Sequence, residues 1–141
     1  MSLQPLQRTT LAALADVLIP AADDHELPSA GQAGVAERWL DEVLSVLPEV
    51  AEPLATLLLG VAEEEPYAAV ARLQIEDPVG FDLLCTVVAG AYFLNPEVRQ
   101  SIGYPGQQAV PIVVETPPDY ERDGLLASVI ARGPVYRPTP E

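Results

Sequence analysis

The sequence predicts an all-α fold: five or six helices in a single domain over residues 1–141, with an irregular, proline-rich C-terminal third. Apolar residues recur at i, i+3, i+4 and i+7 through residues 5–94, the expected helical core. The 15 prolines fall mostly at the starts of these periodic runs or in the final third. From Asn95 turn-forming residues take over, so 95–141 reads as a turn-rich segment with one last helix and a tail.

Pro5 can occupy the first turn of a helix running to about Ile19, because the N–H it lacks would have no partner there. Leu11, Leu14, Ala15 and Leu18 form its apolar stripe, and Asp16 lies on the other face. Pro20 ends it. A second helix is expected from about Ala33, capped by Ser29. Val35, Trp39, Val43, Leu44 and Leu47 line one side of it, and Glu37, Arg38, Asp41 and Glu42 face water.

Pro48 and Pro53 punctuate the chain before a short buried helix, Pro53 to Ala62, which ends near Glu63, Glu64 and Glu65. Pro66 opens another, with Tyr67, Val70, Ala71 and Gln74 on one side. Asp77 and Pro78 repeat the cap-then-proline signature. The nearly all-apolar helix that follows, to Leu94, should be buried on most sides, with Ala89, Gly90 and Ala91 admitting a neighbouring backbone. Beyond it come a helical turn over about Glu97 to Ile102, a tight "GYPG" turn, an extended segment, and a last helix within Asp119 to Arg132.

Net charge is −14, from 21 acids against seven arginines and no lysine. A surface so acidic repels polyanions, which argues against nucleic acid and anionic membrane as partners. Without lysine there is no Schiff-base chemistry and no P-loop. Cys85, the one cysteine, can form no internal disulfide and reads as a buried, inert thiol. The longest apolar run, Pro78 to Leu94, falls short of the roughly 20 residues that span a bilayer. The N-terminus has a single arginine, Arg8, and an apolar run broken by Asp16, unlike a secretion signal. A cytoplasmic location is expected, or a periplasmic one if the natural chain carries a leader.

Asp23, Asp24, His25 and Glu26 have metal-binding atom types, but adjacent residues in one loop rarely converge on an ion, and no second histidine supports them. The connector holding them is longer than the usual helix–helix link of about 2–8 residues, which points to a contact with a partner. Glu63, Glu64 and Glu65 read as a charged helix end. There is no GxSxG elbow and no GxGxxG after a strand. No catalytic residue, metal site or cofactor is therefore expected. "NPEVRQSIGYPGQ" is polar and turn-rich, and ordering it costs entropy. Tyr92, Phe93, Arg99 and Tyr104 are of types enriched in interface hot spots.

Two stretches resemble one family when taken together. "TLAALADVLIPAADDHELPSAGQAGVAERWLDEVL" resembles the N-terminal segment of the gluconate 2-dehydrogenase subunit 3 (gamma subunit) family, where a helix ending in "LIP" leads through an acidic connector to a second helix. "GAYFLNPEVRQSIGYPGQ" is similar to that family's later element, an aromatic pair before a short helix and a "GYPGQ"-like turn. The resemblance covers roughly residues 8–110. It implies a non-catalytic small subunit that accompanies and helps mature an FAD-dependent sugar or alcohol oxidoreductase, in many members carrying a twin-arginine export leader. Electrons leave the flavin through a separate cytochrome subunit in that family. This chain is short and shows no such leader, so the export role is not implied for it.

The resemblance makes the catalytic subunit of an FAD-dependent (GMC-type) dehydrogenase the expected partner. Expected contact residues are Ile19, Pro20, Asp23 and Asp24 in the connector. In the later element they are Tyr92, Phe93, Asn95, Pro96, Arg99, Gly103, Tyr104, Pro105 and Gly106. The alternative is a self-associating helical module, a homodimer with no flavoprotein partner. A third reading is a small enzyme using His25 with Asp23 or Asp24.

Overall fold

A computed structural model of the chain describes residues 3–22, 26–109 and 119–135. The described residues are mostly helical and contain no strand. The chain divides into two units, Met1–Gly106 and Gln107–Glu141. The turn-rich segment expected from residue 95 therefore separates only at Gln107, because the helix after Leu94 packs into the first unit.

Helix α1 runs Pro5–Leu18, with Pro5 at its start. The Gln7 side-chain oxygen accepts from the Gln4 amide at 2.7 Å, covering a donor that a helix start would otherwise leave open. Its buried face is Gln7, Thr10, Leu11, Leu14 and Ala15. Leu18, at the end of the stripe, is only partly buried.

The second helix begins differently from expectation. Ser29 caps a turn that precedes the helix: its hydroxyl accepts from the Gln32 amide at 3.2 Å, and the Gln32 side chain accepts from the Ser29 amide at 2.9 Å. Gly34 then adopts φ 73° and ψ 31°, a left-handed conformation that costs other residues about 1 kcal/mol or more. A wide π-helical turn, Val35–Trp39, follows and continues as α2, Leu40–Val46. Arg8 holds that turn from outside. Its guanidinium donates to the carbonyls of Ala36 at 2.8 Å and Glu37 at 2.9 Å, and pairs with Asp41.

Pro48 opens a 3₁₀ turn, Pro48–Val50, that leads into α3, Ala51–Gly60. The chain bends by 117° at this break, between 35–46 and 48–60. Helix α4, Pro66–Glu76, is capped by Glu65, whose carboxylate accepts from the amides of Tyr67 at 3.1 Å and Ala68 at 2.8 Å. The expected face of α4 is corrected. Ala69 and Leu73 are buried, while Tyr67 is 71% exposed and Ala71 and Gln74 also face outward. The helical period is right, but apolar residues on both sides of the helix leave its phase open.

Helix α5, Pro78–Leu94, is capped by Asp77, which accepts from the Gly80 amide at 3.0 Å. It packs against α2, α3, α4 and the π-turn, and so forms the centre of the unit. Burial on most sides holds: Leu84, Val87, Val88, Ala91 and Tyr92 are buried, Phe81, Leu83 and Leu94 are partly buried against the core, and a strip of Val79, Asp82, Thr86, Gly90 and Phe93 faces outward. The close approach is at Gly80, where a Cβ would lie 2.9 Å from Leu57 Cδ1. Gly90 is exposed, and a Cβ there would meet only Val43 at an ordinary 3.6 Å. Helix α6, Pro96–Ser101, buries Val98 against α5.

Leu11, Leu14, Leu40, Leu54, Leu58 and Leu84 are fully buried, each worth about 1.5–3 kcal/mol of transfer free energy. Among the described residues every buried side-chain nitrogen and oxygen has a hydrogen-bond partner. No single helix there is long and apolar enough to cross a membrane.

In the second unit, the one helix expected over Asp119 to Arg132 is two: α7, Asp119–Arg122, and α8, Ala127–Arg132. Gly124 at φ 71° separates them. None of α8 is buried. The extended segment expected over 110–118 and the end of the tail lie outside the described residues.

Candidate functional site

The two stretches singled out in the sequence meet in the fold. Tyr92, in the last turn of α5, donates its hydroxyl to the Pro28 carbonyl at 2.7 Å. Burial pushes the Tyr92 phenol up from its usual range, which keeps the proton on this donor. Asn95 works in two directions. Its side-chain oxygen accepts from the Glu97 amide at 2.8 Å, capping α6, and its nitrogen donates to the Ala33 carbonyl at 3.1 Å. The same carbonyl accepts from the Trp39 indole at 3.0 Å.

The connector is also held at its ends. The Ile19 carbonyl accepts from the Ala30 amide at 3.0 Å, and Ala22 and Leu27 exchange two backbone bonds. Asp16 accepts from the Gly31 amide at 2.6 Å. Its length is thus folded back on itself and pinned to α5.

The predicted contact residues divide into four groups. Tyr92 and Asn95 are 3% and 8% exposed, and their polar atoms are bonded inside the fold. Inside the fold these two act as fasteners: Tyr92 ties Pro28 to α5, and Asn95 ties Ala33 to the start of α6. Asp23 and Asp24, together with His25, lie outside the described residues. Pro20 is exposed, and Ile19 lines a small apolar pocket of about 200 Å³ with Leu18, Cys85, Val88 and Ala89. Burial, and secondarily Asp82, push the Cys85 thiol up, which suppresses its thiolate.

The remaining residues are at the surface. Pro96, Arg99, Gly103, Tyr104 and Pro105 line an open groove of about 420 Å³ together with Gln100. Gly103 at φ 70° and Gly106 at φ 83° make the turn that closes it, and the Tyr104 amide donates to the Arg99 carbonyl at 2.8 Å. Tyr104 is 51% exposed, and Phe93, edge-on to Tyr92 at 5.5 Å, is 49% exposed.

A second groove, about 440 Å³, was not foreseen. Ala21, Glu26, Leu27 and Pro28 of the connector line it, with Gln32 and with Glu97 and Ser101 of α6. Glu97 and Ser101 are four apart and so share a helix face, the one legible hint of it. Helix α6 thus carries an arginine-containing groove on one side and an acid-lined one on the other.

Among the described residues no three His, Cys, Asp or Glu side chains are grouped to hold a metal. What the surface around α6 offers is stacking on Tyr104, a forked donor at Arg99, and acceptors at Glu26 and Glu97. Comparison of the chain with known protein families, curated proteins and solved structures gave no match.

Proposed function

We propose that this chain is a non-catalytic accessory subunit that binds, stabilises or helps mature an FAD-dependent dehydrogenase of the GMC type. The observation that carries the reading is the convergence of the two stretches that resemble the gluconate 2-dehydrogenase subunit 3 family. They lie far apart in sequence and build one face, fastened by Tyr92 on Pro28 and Asn95 on Ala33. In this reading the face docks through Tyr104, Arg99, Pro96 and Pro105, with Phe93 and Pro20 as further contacts, and the acidic surface steers a basic partner to it.

Co-expression with the catalytic subunit of an FAD-dependent dehydrogenase of this type, sought in the neighbouring reading frame, is the test. The two should co-purify, the yield of flavin-loaded enzyme should fall when this chain is omitted, and Tyr104→Ala should weaken the complex about tenfold or more, as hot-spot truncation does. A flavoprotein that neither co-purifies nor changes in yield would sink the reading.

A homodimer is the second reading, and a specific surface favours it. An apolar groove of about 430 Å³ between α3 and α5 is lined by Pro53, Leu57, Val79 and Leu83, on helices away from α6. Light scattering of the chain alone separates the two: a monomer that enlarges only with the flavoprotein excludes self-association.

A further inference from the structure

The Met1–Gly106 unit has four arginines, and three are engaged within it. Arg8 is bound to the π-turn and Asp41, Arg38 lies 4.4 Å over the Trp39 ring, and Arg72 pairs with Glu64 and Glu76. The guanidinium of Arg99 has no hydrogen bond or ion pair with any described residue, although the residue is half-buried in the wall of the 420 Å³ groove. In a chain of 21 acids, none among the described residues pairs with this cation. A half-buried arginine in a groove walled by a tyrosine and two prolines suits a planar carboxylate, which its guanidinium grips by two parallel N–H···O bonds.

The surroundings specify the rest. Glu97 and Glu26 line the groove across α6, so a segment laid over α6 meets one cation and then two acids. A second copy of this chain is a poor occupant of this groove, because a net charge of −14 is the opposite of the basic surface that Glu97 and Glu26 select. We propose that the Arg99 groove docks a segment of a partner protein that presents a single carboxylate on an otherwise basic surface. This rests on the docking reading above and deepens it by naming the chemistry the partner must carry.

The test uses the full chain, isotope-labelled for NMR, and three probes. These are the peptide acetyl-Arg-Phe-Glu-Pro-Arg-amide, its Glu→Gln counterpart, and free benzoate. The Glu peptide should shift the Arg99 side-chain N–H and the Gly103 and Tyr104 amides saturably. The Gln peptide should bind at least about tenfold more weakly, and Arg99→Gln should bring the Glu peptide down to the same level. Since the Arg99 side chain has no bond to a described residue, the variant should keep the thermal midpoint of the parent.

Equal affinity for the two peptides, or an unchanged Glu peptide with Arg99→Gln, overturns the proposal. Benzoate binding as tightly as the Glu peptide also overturns it, assigning the groove to a free small acid. If a flavoprotein co-purifies but the complex survives Arg99→Gln undiminished, docking stands and the carboxylate assignment falls. If the peptides discriminate but no flavoprotein binds, the groove stands and the flavoprotein reading falls.

Discussion

The hydroxyl of Tyr92 donates to the carbonyl oxygen of Pro28 at 2.7 Å, joining the end of α5 to the connector across 64 positions of the chain. The ring is in the core, and the bond itself is part-buried at the edge of the connector. Tyr92→Phe keeps the ring volume and removes only the donor. It should lower stability by about 1 kcal/mol, moving the urea midpoint without changing the slope. Hydrogen exchange at Leu27 and Ser29 should quicken, since both flank the released carbonyl. Unchanged midpoint and exchange together would mean that the connector is not held there in solution.

Asn95 can be dissected by two substitutions. Asn95→Ala loses both the cap on Glu97 and the donor to Ala33, and should cost about 2 kcal/mol. Asn95→Asp keeps an acceptor for the Glu97 amide but turns a carboxylate oxygen toward the Ala33 carbonyl. Two acceptors facing each other in a buried place should make it no better than the alanine variant, despite the retained cap. Denaturant unfolding of both variants decides it: a near-wild-type Asn95→Asp would show that the cap alone matters.

Much of the fold was legible because proline and cap residues mark helix starts. Pro5, Pro66, and Asp77 with Pro78 each open a helix where the sequence placed one, and α6 starts within a residue of the expected Glu97. The phase of α4 was not legible, since which apolar residue is buried depends on the neighbouring helix and not on its own period. The start of the second helix was missed by a few residues. A left-handed glycine at Gly34 and an arginine 28 positions upstream decide where the wide turn begins, and no local propensity encodes that. At the candidate site, residue types singled out Tyr92 and Asn95 as contacts, and the structure bonds both inside the fold. They could not tell an internal fastener from a contact, because a buried tyrosine and an interface tyrosine look alike in sequence.

The same glycine-to-alanine change should have opposite effects at two positions. Gly34 holds φ 73°, so Gly34→Ala forces an L-residue into a left-handed conformation and should destabilise by about 1–2 kcal/mol. Gly90 lies within α5, exposed, with only an ordinary van der Waals neighbour for a new Cβ. Gly90→Ala should therefore stabilise by up to about 1 kcal/mol through lower backbone entropy in the unfolded chain. Thermal midpoints of the pair, measured together, check both; a shift of the same sign at the two sites would contradict the backbone described here.

Glu64 and Arg72 set a pH dependence whose sign can be worked out. Arg72 donates to both carboxylate oxygens of Glu64, at 3.0 and 2.6 Å, and these bonds hold the carboxyl below its ordinary value of 4.5. A carboxyl depressed in the folded state contributes stability above its unfolded pKa, and that contribution is lost as pH falls through the folded value. The unfolded chain is the first to bind the proton on acidification, which pulls the equilibrium toward unfolding. Glu64→Gln removes this group, so its stability deficit relative to the parent should be present near neutral pH and fade below about pH 4. The pair is at the surface, so the deficit should also shrink in about 1 M salt, where the screening length is only about 3 Å. Paired denaturation curves of the two proteins across that range test it. A deficit that persists undiminished in acid would show that Glu64 acts through packing and not through its charge.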